Sequence, residues 1–417
     1  MEKMKLTKLE KAWILYDVGN SAFIMLISTI IPIYFNYLAG NAGISEVDYL
    51  AYWGYAASVA TVLVAIIGPI LGTLADTENF KKPIFTISMM VGVFGCVALS
   101  FPKSWIVFLA IYVIAKVGCN ASLVFYDAML VDVTTDERMD TVSSHGYAWG
   151  YIGSCIPFVV SLVFVLMNDK IGISMSTAMA IAFVINAAWW FFVTIPLLKS
   201  YKQKNYVALP EKPVRASFSR LWNTLKEVKD KKNIFMYLLA FFFFIDGVST
   251  IISMATAYGS SLGLDSTGLL LALLVTQIVA FPCALIFSKL SKKYPTDALI
   301  KVCIAAYTAI AVFAIQLDKQ WEFWFLAVCV GMFQGAIQAL ARSYFAKIIP
   351  AEKSGEYFGI YDIFGKSASF MGTTLVAVVA QATGKQNIGV AVIAVMFVIG
   401  YILFGKAAKL NCQTEKE

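Results

Sequence analysis

The sequence predicts an all-α polytopic membrane protein of twelve spanning helices arranged as two sets of six. Three observations carry this: an apolar composition, a series of runs each long enough to cross a bilayer, and an uneven distribution of Lys and Arg between the loops. Of 417 residues, 59% are hydrophobic and only 14% charged, against about 25% charged in an ordinary soluble domain. A helix needs about 20 predominantly apolar residues to cross the hydrocarbon core. The opening MEKMKLTKLEKAW is a basic lead straight into a long apolar run, without the short apolar core and small-residue cleavage site of a secretory signal, so the first helix is expected to stay in the mature chain.

Taken in order, the apolar runs cover 12–38, 52–74, 83–101, 104–130, 145–167 and 174–196, then 233–260, 266–288, 298–317, 321–346, 356–381 and 387–405. Pro102 and Lys103 make the turn between the third and fourth runs. With the N-terminus in the cytoplasm, the inner segments hold Lys3, Lys5, Lys8 and Lys11, then Lys81, Lys82 and Arg138, ten Lys or Arg from Lys199 to Lys232, and Lys289, Lys292, Lys293, Lys347 and Lys353. The outer loops hold only Lys103, Lys170, Lys319 and Lys385, an asymmetry that places both termini in the cytoplasm. Trp53, Trp105, Trp321 and Trp324 open helices at the outer surface, and Trp189 and Trp190 are expected to close the sixth toward the inner one.

The long segment 197–232 separates an N-terminal bundle, 1–196, from a C-terminal bundle, 233–417. Within it Phe218, Leu221, Trp222, Leu225 and Val228 recur at helical spacing with lysines opposite, the pattern of an interfacial amphipathic helix or of an ordinary charged linker helix.

The net charge of +7 reports topology here, and no nucleic-acid partner is expected. Six cysteines (Cys96, Cys119, Cys155, Cys283, Cys303, Cys329) fall in apolar runs and Cys412 lies in the tail, with no disulfide framework or metal-ligand spacing. One histidine and scattered single carboxylates cannot supply a zinc or di-iron site. No G-x-x-x-x-G-K-[ST] loop is present for nucleotide-driven pumping. No cofactor, no metal and no enzymatic activity are therefore expected.

The two halves echo each other. YDVGNSAF from Tyr16 and IDGVSTII from Ile245 align Asp17 with Asp246 and Asn20–Ser21 with Ser249–Thr250. The fourth and tenth helices align at a constant offset, pairing Lys116 with Gln334, Asn120 with Gln338, Ala121 with Ala339 and Tyr126 with Tyr344. Related halves with a binding site between them are the construction of many carriers.

Six plus six helices, inside termini and a long central loop together resemble the major facilitator superfamily. GTLADTENFKKP from Gly72 is similar to that superfamily's loop signature, whereas the equivalent SKLSKKYP carries Lys292 where the Asp would stand. Four blocks, WILYDVGNSAF, VSSHGYAWGYIGS, FIDGVSTIISMATAYGSSLGL and QGAIQALARSYFAKIIPAEKSGEYFGIYDIFGKSASFMG, resemble the vacuole-effluxer-like branch, which includes fungal autophagy-related vacuolar amino-acid exporters. The resemblance covers essentially the whole chain and implies a carrier. His145 departs from it, standing where a basic Arg-like or a small residue is expected.

A charge at the bilayer centre costs about 2.5–3.5 kcal/mol on insertion scales, so each intramembrane charge needs a cavity or a partner. Asp246 lies fourteen residues beyond Lys232, hence roughly 21 Å into its helix at 1.5 Å per residue, and reads as a protonatable coupling or substrate-ammonium site, the alternative being a structural Asp with a fixed neighbour. Asp17 sits nearer the inner face, as a gate residue or the partner of a lysine. Lys116 is near the midplane and is the natural counter-charge for one of these carboxylates. Asp362 and Lys366, four apart, are expected to pair on one helix face. Asn20, Asn120, Ser249, Thr250, Gln277, Gln334 and Gln338 offer donors and acceptors for a polar solute, or hold helices together. The superfamily resemblance implies that Asp76, Asp127 and Arg342 belong to the charge network of the inner gate.

The expected function is secondary active transport of a small polar metabolite, amino acids first, by rocking-bundle alternating access with protons as the candidate coupling ion. The protein is expected to act as a monomer in the plasma membrane. The alternatives are efflux of amphipathic compounds, or a membrane sensor or scaffold that does not transport.

Overall fold

The computed structural model describes residues 5–208, 213–261 and 263–414, with some side chains inside these ranges left undescribed. The helices run, in order, α1 (Lys8–Ser28), α2 (Ile30–Asn41), α3 (Glu46–Ala75), α4 (Lys81–Ala98), α5 (Trp105–Ala128), α6 (Leu130–Val133), α7 (Asp136–Leu166), α8 (Asn168–Ile171), α9 (Met175–Ser200) and α10 (Pro213–Asp230). They continue as α11 (Lys232–Ser261), α12 (Ser266–Leu290), α13 (Thr296–Ala314), α14 (Gln320–Ile348), α15 (Ser354–Thr383) and α16 (Gln386–Thr414). Among the described residues twelve segments are long and apolar enough to cross a membrane, α1 and α2 together forming the first.

Helix starts follow their capping chemistry. Thr7 and Glu10 make a reciprocal capping box on α1, and Ser45, Ser174 and Asp265 accept amides at the starts of α3, α9 and α12. Pro69, Pro157 and Pro196 lie inside helices, and the hydroxyls of Thr73, Ser161 and Ser200, four residues on, each donate to the proline's own carbonyl. Such back-bonding beside a missing backbone donor bends a helix.

The structure departs from the sequence reading at three places. The first run is not continuous: Thr29 leaves helical geometry (φ −134°, ψ −74°) and its hydroxyl donates to the Met25 carbonyl. The fifth span starts at Asp136, well before the apolar run, so His145 lies more than two turns inside α7. Trp190 is no interfacial anchor. It is fully buried, stacks on Phe23 with ring centroids 5.5 Å apart, and fills the space left by Gly19 and Gly92. Small residues open a pocket there that an indole occupies.

The chain divides into two compact units. Unit 1 comprises residues up to Val133, Trp149–Ser217 and Glu352–Gly359; unit 2 comprises Thr134–Ala148, Phe218–Ala351 and Ile360 onward. Unit 1 is organised around Tyr126 of α5, which stacks on Trp13 at 4.2 Å and packs on Tyr16 at 4.6 Å. Unit 2 has a comparable centre on Tyr237 of α11, 5.1 Å from Tyr344 and 5.6 Å from Phe345, its hydroxyl donating to the Ala341 carbonyl. The aromatic rings contribute large buried areas, and Trp13, Tyr16 and Tyr237 place their polar atoms against the Tyr126 carbonyl, Ser122 and the Ala341 carbonyl inside the bundle.

Candidate functional site

Three groups of polar side chains stand out within the two units. The first is a buried ionic cluster in unit 1, at the end of α3. Asp76 caps that helix and is fully buried, as are Lys81 and Asp132. The Lys81 ammonium lies 3.6 Å from each carboxylate and donates to Ser354 Oγ at 2.8 Å. Asp76 accepts the amides of Gly355 at 2.7 Å and Glu356 at 2.8 Å, in the first turn of α15. These amides have no intrahelical partner, and the helix dipole favours a carboxylate there. The approach is possible because both facing residues are glycines: a Cβ on Gly72 would strike the Gly355 carbonyl, and one on Gly355 would strike that of Gly72.

Asp132 anchors the start of the linker to the same cluster. It accepts the Tyr201 hydroxyl at 2.5 Å and the amides of Lys204 and Asn205 at 3.2 and 2.8 Å, with Asn205 Nδ2 at 2.9 Å. Val207 donates to the Asp76 carbonyl at 2.8 Å and accepts from Glu78 at 3.1 Å, closing a parallel bridge onto the α3–α4 loop. Burial pushes the Asp76 carboxyl up to about 7, opposed by Lys81 and the two amides. Burial and then the Asp132 charge push the Tyr201 phenol up.

The second group is its counterpart in unit 2. Asp140, at the start of α7, accepts the Ser343 hydroxyl at 2.6 Å, the Thr296 hydroxyl at 2.6 Å and the Lys347 ammonium at 2.7 Å. Beside it Arg342 donates from Nε to Ser143 Oγ at 2.9 Å and from Nη2 to the Ser143 carbonyl at 3.1 Å, and its guanidinium lies 4.5 Å from the Tyr147 ring. Of the residues expected in a gate network, Asp76 sits at the centre of the unit 1 cluster, Arg342 belongs to the unit 2 cluster, and Asp127 is half-buried on α5. Asp132 and Asp140 escaped the sequence reading, and Lys81 entered it only as an inner-side charge and part of the loop signature. Asp132 and Asp140 lie in short polar stretches between apolar runs, where a carboxylate usually means a solvated loop.

The third group is deep in the spans. Asp246 of α11 is fully buried; its Oδ1 accepts the Gly372 amide at 3.0 Å and the Thr250 hydroxyl at 3.3 Å, and its Oδ2 has no hydrogen-bond partner among the described residues. In unit 1 Asp17 is also buried, with Asn20 Nδ2 at 3.5 Å. A Cβ on Gly150 of α7 would meet Ser21 Oγ at 2.9 Å and the Asp17 carbonyl at 3.4 Å, while one on Gly372 of α15 would strike Thr250 Oγ1 and Asp246 Oδ1. The aligned Asp17–Ser21 and Asp246–Thr250 pairs therefore each nest a glycine of a neighbouring helix, and the sequence repeat is a repeat of packing.

Thr250 also lines a cavity of about 320 Å³ inside unit 2, with Tyr258, Thr276, Gln277 and Gln334 as the other residues bearing a hydroxyl or amide group and aliphatic or aromatic side chains such as Met254, Leu273, Phe323 and Val330 around them. Of the ten residues expected to serve substrate or coupling, the structure brings Thr250, Gln277 and Gln334 to this wall and Asp246 behind it. Gln338 lies a turn beyond Gln334 and donates to its carbonyl at 3.2 Å; Ser249 is half-buried on α11. Asp17, Asn20, Lys116 and Asn120 belong to unit 1. Lys116 is half-buried with its ammonium 5.7 Å from the Tyr112 ring. Asp362 and Lys366 pair at 2.6 Å on one face of α15, as their spacing predicts. Among the described residues no three His, Cys, Asp or Glu side chains converge on a point that could hold a metal ion.

Residues 7–409 match the family model described as "Vacuole effluxer Atg22 like". The chain is 42% identical over 404 residues to the uncharacterized MFS-type transporter YxiO of Bacillus subtilis, covering 96% of this chain and 94% of that one. It is 23% identical over 288 residues to autophagy-related protein 22-1 of Aspergillus clavatus, covering 62% of this chain and 47% of that one, so it spans about half the length of the fungal relative. Among solved structures, it resembles the major facilitator transporter FucP in its outward conformation (TM-score 0.73, 13% identity, covering 96% and 97%). It also resembles a bacterial homologue of ferroportin (TM-score 0.71, 11% identity, covering 96% and 98%). These distant likenesses speak for the fold, and the match along nearly the whole chain speaks for the family. The chain is a multi-pass membrane transporter of the major facilitator fold and belongs to the vacuole effluxer Atg22-like family.

Proposed function

We propose that this transporter carries small polar metabolites, amino acids first, and couples their movement to protons through Asp246. The observation that carries the reading is the place of Asp246: a buried carboxylate with an unbonded Oδ2, one hydrogen bond from a threonine that opens onto a cavity. An intramembrane acid so placed is a site for a proton or a substrate ammonium group. The amides of Gln277 and Gln334 and the hydroxyls of Thr250 and Thr276 offer both donors and acceptors, as a zwitterion requires. Lys116, Asp17, Asn20, Asn120, Ser249 and Gln338 are proposed as further residues serving cargo or coupling. The clusters on Asp76 and on Arg342 and Asp140 are proposed as latches whose opening and closing accompany alternating access. The protein is proposed to work as a monomer in the plasma membrane, and Asp362–Lys366 to be a structural pair.

Solute counterflow tests this. Purified protein in liposomes preloaded with unlabelled amino acids is assayed for transient uptake of each labelled one, with no ion gradient. Uptake of an amino acid supports the cargo assignment, and silence across the panel with folded protein removes it. Counterflow that persists in Asp246→Asn, with loss of proton-driven accumulation, supports coupling at Asp246; loss of both makes Asp246 a cargo contact.

A second reading is favoured by the apolar character of most of the cavity wall: efflux of amphipathic compounds, with the amides as polar anchors. Binding of hydrophobic cations or dyes to purified protein, with amino acids failing to compete, would favour it.

A further inference from the structure

The α10 helix lies outside the twelve spanning segments, yet it presents an apolar edge that no packed residue covers. Its described side chains divide cleanly. Thr224 and Val228, one turn apart, are buried. Trp222 is 62% exposed and Leu225 42% exposed; with exposed Lys226 and Lys229 they stand at i, i+3, i+4 and i+7, one continuous stripe. The Lys226 ammonium lies 5.7 Å from the Trp222 ring, so the basic and apolar parts of the stripe are interleaved. From 213 to 232 the chain carries six Lys or Arg (Arg215, Arg220, Lys226, Lys229, Lys231, Lys232) against Glu227 and Asp230.

Position supplies the partner. α10 ends at Asp230 and the spanning helix α11 starts at Lys232, with only Lys231 between them. Its C-terminal end is therefore held at the membrane surface, where an indole ring and a leucine meet the headgroup region and lysines reach phosphates. Twelve spans put this helix on the same side of the bilayer as the two chain termini.

We infer that α10 lies on the leaflet facing the termini, with Trp222 and Leu225 seated among the headgroups and Lys226 and Lys229 bound to anionic phospholipid. An anionic surface draws such basic side chains within a Debye length, and an apolar stripe alone would show no preference among headgroups. The other side of the helix carries the buried Thr224 and Val228, so lipid held on the exposed stripe acts directly on the linker.

The test uses the full-length protein in vesicles of phosphatidylcholine with a minor fraction of either phosphatidylglycerol or further phosphatidylcholine, the minor lipid carrying brominated acyl chains that quench nearby tryptophan. The fluorescence of wild type minus that of Trp222→Phe isolates Trp222, and Trp222 is exposed enough that Phe should leave packing intact. The expected difference signal is blue-shifted and quenched most strongly by brominated phosphatidylglycerol. In a Lys226→Glu/Lys229→Glu variant that keeps Trp222, the preference for phosphatidylglycerol disappears, with wild-type thermal stability as the folding check. A red, unquenched signal in both mixtures overturns the inference, and so does equal quenching by the two headgroups.

Discussion

The backbone amide of Gly372, inside α15, donates to Oδ1 of Asp246 on α11 at 3.0 Å. In a regular helix that amide belongs to the carbonyl four residues back, so the carboxylate competes with the helical ladder, a recognised origin of a kink. Only a glycine allows it, because a Cβ at 372 would strike both Asp246 Oδ1 and Thr250 Oγ1. Gly372→Ala is expected to cost about 1–3 kcal/mol through overpacking and to abolish counterflow. At Gly150, where the nearest atom to a new Cβ is Ser21 Oγ at 2.9 Å, Ala should be milder because a hydroxyl can turn away. Thermal unfolding of the two variants checks the order, and a wild-type melting temperature for Gly372→Ala would show that α15 yields freely.

Thr250 belongs both to Asp246 and to the cavity wall. Thr250→Val preserves shape but removes the hydroxyl, leaving a buried carboxylate with one donor fewer, a loss of about 1–3 kcal/mol. Transport should fall about tenfold or more, the kinetic equivalent of roughly 1.4 kcal/mol, and Thr250→Ser should recover most of it. Initial rates of counterflow with matched protein amounts decide; an unaffected Val variant would remove Thr250 from the pathway.

Lys81 stands between two buried carboxylates at 3.6 Å from each. Lys81→Met leaves both charges buried without a cation, which costs about 3–5 kcal/mol when one partner of a buried pair is removed. The stability should return in part when Asp76→Asn is added, since that deletes one stranded charge. Equal melting temperatures for Lys81→Met and wild type would mean that the amides alone satisfy Asp76.

The Asp76 cluster should respond to pH with a definite sign. The carboxyl is raised from an ordinary 3.8 to about 7 by burial, so between those values the state that buries it holds an extra proton. Burial is then favoured at low pH and weakened as pH rises through 7. The facing charges are Lys81, the Glu356 carboxylate of α15 and, across Lys81, Asp132. Hydrogen exchange of the Gly355 and Glu356 amides, corrected for intrinsic rates, should show protection falling from about pH 5 to about pH 8. In Asp76→Asn it should be flat.

Arg342 uses two nitrogens on one serine and its flat face on Tyr147. A lysine has a point charge and no such plane. Arg342→Lys should therefore lose about 1–3 kcal/mol of stability, with Arg342→Ala no worse; a Lys variant equal to wild type in unfolding would reduce the role of Arg342 to charge.

The parts of this architecture that repeat locally were open to reading. Twelve spans follow from apolar runs, and the Asp362–Lys366 pair from helical spacing alone. The internal echo of Asp17 and Asp246 was visible as residue types, and the structure gives it meaning as a glycine nested against each. Tertiary placement was not visible. Asp132 looks like a loop acid until Tyr201 and Asn205, some seventy residues later, fold onto it. Trp190 looks like an interfacial anchor because a sequence cannot show that Gly19 and Gly92, far away along the chain, have left it a socket.

Units 1 and 2 each contain a short piece of the opposite six-helix half: Glu352–Gly359 lies in the first and Thr134–Ala148 in the second. Hybrid genes built by crossing two relatives within the linker would therefore fail or succeed at a place far from the crossover. Such a recombinant joins one parent's Gly72 to the other parent's Gly355, a junction with no room for a side chain on either strand of ancestry. Compatibility between parents should thus be governed by these two positions together, and a library of such crossovers would be filtered by them before any difference in cargo could be seen.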